Sequence, residues 1–225
     1  MTRLILYHGS DRIVEKPRFG VGNPRNDYGL GFYCTASLEM ACEWAVGRGT
    51  DGYANKYVFD DSGLTVVDFE SVGLCTLHWL TTLLANRTFD VRAPLALEAR
   101  EYLLEHFYVD LDDADVVKGF RANDSYFTFA QDFIMGTISY RQLNNAMRLG
   151  DLGQQTVIKS ARAFERLEFR EAREVPRSVW LPRREERDRT ARRKYFDVER
   201  SKRRRGDLYI TQILDEEMRP GDACL

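Results

Sequence analysis

Residues 17–31 restrict the fold more than any other stretch, because they combine glycine and proline at high density. The segment holds Pro17, Gly20, Gly22, Pro24, Gly29 and Gly31. That density predicts an irregular loop. The loop separates two short apolar segments, 3–8 and 32–35, which we predict to be strands. A loop of this length inside a compact domain is commonly functional.

The remainder of the chain alternates short strands with helices, and this alternation predicts an α+β fold. Further strands are expected at 116–120, 155–159 and 167–169. A hairpin is predicted from strands 56–59 and 64–69 around the turn 60–63. Helices are expected at 74–85, 94–107, 126–134 and 139–149. Ser37 and Ser160 are placed to cap two additional helices, and Asp124 to cap the helix that follows it.

Composition places the chain among soluble globular proteins. Of its 225 residues, 44% are hydrophobic and 30% are charged. No apolar stretch reaches the ~18 residues of a membrane helix, and the N-terminus does not resemble a secretory signal, so we expect a cytoplasmic protein without membrane contact. The four cysteines form no C-x-x-C pair, and there are only three histidines. A disulfide scaffold, a zinc knuckle and a histidine-based metal site are therefore not expected.

Positive charge is concentrated in the C-terminal part. Residues 183–205 hold twelve Lys/Arg and five Asp/Glu, whereas the whole chain has a net charge of −2. We predict a solvated helix over 183–203 with ion pairs Glu185–Arg189 and Asp188–Arg192, after an irregular stretch bracketed by Pro176 and Pro182. The basic run 202–205 is either an ordinary solvated surface or a contact for phosphates or an acidic protein.

Two clusters offer residues for chemistry. His8 ends a predicted strand and is followed by Gly9-Ser10, where a glycine would let a ligand approach the backbone. Residues 26–35 place Gly29 and Gly31 before an aromatic strand, in which Tyr33 offers a stacking face and Phe32 points to the opposite, core-facing side. Taken alone, the first cluster is better explained as a turn histidine. The second is also compatible with a glycine loop that leads into a strand with core aromatics.

Together the motifs resemble two related groups of proteins. H-G-S followed by G-x-G-F-Y and a later strand is similar to the NAD-binding core of ADP-ribosyltransferases, in the branch of diphtheria toxin and the poly-ADP-ribose polymerases. Y-H-G-S, N-D-Y-G-L-G-F-Y-C-T, R-A-N-D-S-Y-F, L-G-Q-Q-T-V-I-K-S and D-L-Y-I resemble the DUF3990 family. These motifs occupy residues 7–10, 26–35, 121–127, 152–160 and 207–210.

The resemblance implies an ADP-ribosyltransferase-like split β-sandwich over residues 1–175, with helical insertions and a basic helical extension over 176–225 packed on it. It implies NAD as a substrate and no metal. His8 would bond the adenosine ribose, Gly9 and Ser10 would hold the nicotinamide amide, and Tyr33 would stack on its ring. Gly31 would allow close approach of the ligand.

Four further residues are candidates for the site. Gln155 would bond the 2′-hydroxyl of the ribose at the scissile bond. Trp44 is either a second stacking aromatic or a core residue. Arg121 would hold the pyrophosphate or a target. Gln154 would contact the acceptor.

Gln155 stands where most relatives carry glutamate, which limits the expected chemistry. An amide orients a ribose but brings no negative charge, so we expect transfer of a single ADP-ribose rather than chain elongation. The resemblance implies a mono-ADP-ribosyltransferase acting as a bacterial toxin or effector, with a protein or nucleic-acid acceptor and a small antitoxin partner. An NAD glycohydrolase, or a catalytically silent NAD-binding or nucleic-acid-binding module, stays open as an alternative.

Overall fold

Seven strands form the centre of the molecule. The computed structural model describes residues 3–47, 49–122, 124–149 and 153–222, with the side chains at 124 and 125 outside that description. The strands are β1 (Arg3–Ser10), β2 (Phe32–Thr35), β3 (Gly52–Asp60), β4 (Val66–Asp68), β5 (Val116–Phe120), β6 (Gln154–Ile158) and β7 (Leu167–Val175). Their hydrogen-bonded order is β4-β5-β6-β2-β1-β3-β7.

The sheet divides between β1 and β2. These strands are joined only at the pair Tyr7↔Thr35, whereas β1 pairs with β3 along its whole length. The result is two half-sheets, β4-β5-β6-β2 and β1-β3-β7, and we call the division between them the seam. All neighbouring strands are antiparallel except β4 and β5.

Eight α-helices cover the sheet in the described part of the chain. They are α1 (Leu38–Ala45), α2 (Thr76–Asn86), α3 (Pro94–His106), α4 (Asp124–Ile134), α5 (Tyr140–Ala146), α6 (Ala161–Phe164), α7 (Arg177–Lys194) and α8 (Ile210–Asp215). A π-helical segment, Tyr195–Glu199, follows α7 directly. The fold is therefore α+β, as the alternation of elements predicts. None of the helices in the described ranges has the length and apolar character of a membrane span.

The largest hydrophobic core lies between β5, β6 and helices α2 to α5. Trp79, Phe129 and Phe133 are fully buried there. The C-terminal region enters the same core through Tyr195 and Ile213. A smaller core holds α1 and the start of α7 on the second half-sheet. Burial of this apolar surface is the main force that holds the helices to the strands.

Several local predictions are confirmed. Strands β2 and β5 have the predicted limits, and Ser37 accepts a hydrogen bond from the Met40 N–H at the start of α1. Ser160 caps α6 in the same way. Helices α2 to α5 lie within two or three residues of their predicted limits. The proposed cap at Asp124 lies outside the described side chains.

The predicted hairpin is wrong. Strand β3 pairs with β1 and β7, while the short β4 runs parallel to β5. The turn signal at 60–63 is real, but it carries the chain from one half-sheet to the other. Alternating apolar residues show which segments are strands and do not identify their partners.

The predicted irregular stretch between Pro176 and Pro182 is also wrong. Helix α7 starts at Arg177 and contains Pro182. A proline inside a helix leaves the carbonyl four residues earlier without its donor. That carbonyl belongs to the exposed Ser178, where water can replace the donor, while Trp180 and Leu181 pack on the smaller core. Asp188 pairs with Arg192 as predicted, but Arg189 pairs with Glu186 instead of Glu185.

Candidate active site

A cleft of about 390 Å³ opens at the seam. It is lined from both half-sheets, from α1 and from the loop before β2. Seven of the eight sequence-predicted site residues line it, namely His8, Gly9, Ser10, Tyr33, Trp44, Arg121 and Gln155. The sequence therefore identifies residues that lie far apart in the chain and meet at one place in the fold.

Gly31 does not line the cleft, and the close approach of a ligand at this residue stays a prediction. A Cβ at this position would come within 2.5 Å of Val157 Cγ1 and 3.0 Å of the Ile158 carbonyl oxygen. Glycine is needed here because the chain enters β2 against the neighbouring strand β6. The residue shapes the approach to the site without facing it.

Gly9 lines the cleft, and its close packing partner is α1. A Cβ on Gly9 would overlap the Ala41 carbonyl oxygen and would lie 2.8 Å from both Ala45 N and Trp44 Cβ. The absence of a side chain lets α1 lie directly on β1. This contact brings Trp44 beside His8, Gly9 and Ser10 in the cleft wall.

His8 connects the two half-sheets. Its Nδ1 lies 2.7 Å from the Tyr33 carbonyl oxygen across the seam. A carbonyl only accepts, so Nδ1 carries the hydrogen and donates it. Burial lowers the pKa of His8, which favours the neutral ring at pH 7. In that tautomer Nε2 is a hydrogen-bond acceptor, suited to a hydroxyl group.

The Tyr33 ring is held at its hydroxyl end. The hydroxyl donates to the Gly29 carbonyl oxygen at 2.6 Å and accepts from the Tyr28 N–H at 3.1 Å. Burial raises the pKa of Tyr33 and keeps the phenol protonated. These two bonds fix the position of the outer end of the ring. The predicted alternation also holds, since Phe32 packs in a separate apolar cluster on the other face of β2.

A buried acidic residue, Asp27, lies beside Gln155 in the cleft. Its Oδ2 accepts hydrogen bonds from Gln155 Nε2 and from the Ala122 N–H, both at 2.9 Å. Its Oδ1 accepts from Arg87 Nη1 at 2.7 Å. Burial raises the pKa of Asp27, while the Ala122 N–H, Gln155 and the cations of Arg87 and Arg121 oppose that rise.

The segment that carries Asp27 is anchored on both sides. The Tyr28 hydroxyl donates to the Phe120 carbonyl oxygen at 2.8 Å, and Lys159 Nζ donates to the Tyr28 carbonyl oxygen at 2.8 Å. Gly119 leaves the space that the Tyr28 ring occupies. The end of the glycine-rich loop is thus fixed against β5 and β6, which places Asp27 with little freedom.

Trp44 and Arg121 line the cleft and contact each other. The Arg121 guanidinium lies 4.6 Å from the centre of the Trp44 ring, a cation–π distance. Trp44 Nε1 is buried and has no hydrogen-bond partner among the described residues. Buried donors are nearly always paired, and this unpaired N–H belongs to a residue that lines the cleft. The half-buried ring therefore faces the site as well as the core.

A second cleft of about 470 Å³ adjoins the first. Both are lined by Arg87, Arg121 and Ala122. Its far side is formed by α1 and α7, where Glu43 and Arg187 form an ion pair of 2.9 Å. Arginines at the junction suit a ligand that carries phosphates.

Sequence reasoning missed Asp27 and Arg87 as site residues. Asp27 stands inside the motif at 26–35, but aspartate in a glycine-rich loop is an ordinary turn residue, and nothing in the spacing connects it to Gln155. Arg87 follows the last residue of α2 and carries no local signal. Gln154 was predicted to contact an acceptor; its amide donates to the Glu70 carboxylate.

The other two histidines, His78 and His106, lie outside the cleft and have structural contacts. His78 Nδ1 accepts from the Cys75 N–H at 3.0 Å at the start of α2, and His106 packs on Tyr102 with ring centres 4.5 Å apart. Among the described residues, no group of three or more His, Cys, Asp or Glu is arranged to hold a metal ion.

The fold and the cleft define an α+β protein with a polar cleft at the division of its sheet. A family model described as a protein of unknown function, DUF3990, matches residues 4–169. The chain therefore belongs to the DUF3990 family. No curated protein and no solved structure matches it.

Proposed function

We propose that this protein is a mono-ADP-ribosyltransferase that uses NAD as the donor. The observation that carries the proposal is the convergence of His8, Tyr33 and Gln155 in one cleft, where a motif resemblance assigns them to NAD. The division of the seven-stranded sheet into two half-sheets supports the ADP-ribosyltransferase-like split β-sandwich.

The contacts of the cleft fit the parts of NAD. The anchored Tyr33 ring offers a face to the nicotinamide ring. The Gly9 backbone and the Ser10 hydroxyl line the same cleft and bind the amide group of the nicotinamide. His8 Nε2 accepts a hydrogen bond from a ribose hydroxyl of the adenosine half. Arg87 and Arg121, at the junction of the two clefts, provide positive charge for the pyrophosphate.

The reaction breaks the bond between C1′ of the ribose and the nicotinamide nitrogen. The electron pair of that bond leaves with nicotinamide, which becomes neutral, and positive charge develops on the ribose, as in glycoside hydrolysis. An acceptor X–H then forms the new bond to C1′ and releases its proton. A site that stabilises the cationic ribose more than the ground state raises the rate.

Gln155 holds the ribose at this step. Both N–H groups of its amide are engaged, by Asp27 at 2.9 Å and by the Phe120 carbonyl oxygen at 3.2 Å. The amide therefore presents Oε1, which accepts a hydrogen bond from the 2′-hydroxyl. Gln155 is only 3% exposed, so this contact is made away from bulk water.

The test incubates the pure protein with labelled NAD and a cell lysate. Label on a macromolecule is expected for the wild type and is expected to fall about 10²-fold or more in His8→Ala and Gln155→Ala. His106→Ala is the matched control, because His106 does not line the cleft, and it should retain activity. Nuclease and protease treatment then identifies the acceptor as nucleic acid or protein.

Released nicotinamide without transferred label would instead identify an NAD glycohydrolase. This second candidate is favoured by the contact of Gln154 with Glu70, which removes the residue that was predicted to hold an acceptor. Failure of the wild type to consume NAD, with or without lysate, would refute both enzymatic functions.

The proposal includes a biological role as a bacterial toxin or effector with a small neutralising partner. Expression of the wild type should then slow bacterial growth, and Gln155→Ala should relieve the effect. Equal growth with the two chains would refute that role.

A further inference from the structure

The cleft contains a carboxylate that the motif resemblance assigns no role. The Asp27 side chain is only 7% exposed, yet it lines the cleft beside Gln155. All three of its hydrogen-bond partners are donors: Arg87, the Ala122 N–H and Gln155. Donors on both oxygens favour the ionised carboxylate and oppose the rise in the pKa of Asp27 that burial causes.

Gln155 and Asp27 form one hydrogen-bonded unit. The partners of the Gln155 amide are the Asp27 carboxylate and a backbone carbonyl, and both can only accept. This fixes which end of the amide faces them and leaves Oε1 for the ligand. A hydrogen bond to an anion polarises the amide and makes its oxygen a stronger acceptor.

We infer that Asp27 is a positioning residue of the active site, which orients and polarises the Gln155 amide and supplies the negative charge that residue 155 lacks. The inference rests on the proposed function. The charge then comes from the anchored end of the glycine-rich loop, one hydrogen bond away from the ribose contact. An amide at position 155 is thereby compatible with cleavage of the nicotinamide bond.

The competing explanation is that Asp27 only forms a structural ion pair with Arg87. Exchanging the carboxylate and the amide between positions 27 and 155 distinguishes this explanation from a positioning role. Asp27→Asn removes the carboxylate, and Gln155→Glu places one at the neighbouring position. Gln155→Glu alone puts two carboxylates within hydrogen-bond distance, where they repel each other. The double variant restores one carboxylate and one amide with exchanged positions.

Steady-state NAD cleavage is measured for the wild type, the two single variants and the double variant, with NAD affinity measured separately by calorimetry. For Asp27→Asn we expect kcat to fall about 10²-fold while the Kd for NAD changes less than about threefold. In the Gln155→Glu background the same substitution should raise kcat about tenfold or more. Asp115→Asn is the matched control, because Asp115 is a buried aspartate paired with Arg162 and does not line the cleft.

The decisive results are the fall in kcat of Asp27→Asn at nearly unchanged NAD affinity and its rescue when Gln155→Glu is added, since loss of a structural ion pair explains neither. If Asp27→Asn proves unstable alone, a kcat of the double variant close to that of the wild type supports the inference. An unchanged kcat in Asp27→Asn, or a further loss in the double variant, would overturn the inference while wild-type cleavage upheld the proposed function. A wild type that neither binds nor cleaves NAD would refute both.

Discussion

Gly119 controls the position of the loop end that carries Asp27, and its replacement by alanine gives a sharp test of that packing. A Cβ on Gly119 would overlap the Tyr28 hydroxyl and would lie 3.0 Å from Cζ and 3.2 Å from Phe69 Cβ. Tyr28 is 1% exposed, so its ring has no free space to enter. The ring must shift and lose its hydrogen bond to the Phe120 carbonyl oxygen.

The expected loss of stability follows from these two effects. Overpacking of a filled core costs about 1–3 kcal/mol, and a lost hydrogen bond costs about 1 kcal/mol. We therefore expect Gly119→Ala to lower the free energy of unfolding by about 2–4 kcal/mol, measured by urea denaturation. The corresponding fall in Tm is roughly 5–10 °C for a chain of this size.

Two controls isolate the cause. In Gly47→Ala the new Cβ would lie 2.5 Å from Arg184 Nη1, the end of a flexible side chain that can move away, so stability should stay within about 0.5 kcal/mol of wild type. In Gly119→Ala/Tyr28→Phe the overlapping oxygen is gone, so the combined cost should be smaller than the sum of the single costs by about 1 kcal/mol. An additive double variant, or a harmless Gly119→Ala, would refute the packing argument.

Trp44→Phe should weaken NAD binding about fivefold or more by calorimetry, because it deletes the unpaired Nε1 donor of a residue that lines the cleft. Trp79→Phe, which loses a bond to the Phe120 carbonyl oxygen in the core, should lower stability and leave the affinity for NAD within about twofold of wild type. Equal Kd values for Trp44→Phe and the wild type would contradict the assignment. Asp115→Asn should destabilise the protein by about 2 kcal/mol at pH 7, because Arg162, Ser160 and the Thr65 N–H donate to the carboxylate. These donors lower the pKa of Asp115, so its stabilisation is present above the unfolded pKa and is lost as pH falls through the lower folded value. The deficit of Asp115→Asn in urea titrations should therefore shrink below about pH 4, and a deficit that is constant with pH would refute this reason.

Local chemistry accounts for the parts of the fold that the sequence predicts. Ser37 and Ser160 cap helices because a side-chain oxygen followed by an apolar periodic segment satisfies free N–H groups at a helix start. The limits of β2 and β5 are visible because glycine or polar residues flank short apolar runs. The hairpin error concerns non-local pairing: β4 lies beside β5, about fifty residues later, and no turn signal records that choice.

The site shows the same division between local and non-local information. His8, Tyr33 and Gln155 are recognisable because each stands in a short motif on a strand. Asp27 and Arg87 acquire their place only when the loop end folds onto β5 and β6 and the end of α2 meets it. A glycine before a strand can make room for a ligand or for a neighbouring strand. The sequence suggests the ligand for Gly31, whereas the structure shows β6 packed against it.

The seam has a consequence for how the protein unfolds. One backbone pair and the His8–Tyr33 bond span it directly, so opening the molecule there breaks few backbone bonds. A ligand that touches His8 on one side and Gln155 on the other would act as a reversible crosslink, adding its binding energy to the cost of separation. Amide hydrogen exchange in β1 and β2 should then slow together when ligand is added, whereas exchange at the far edges, in β4 and β7, should respond much less.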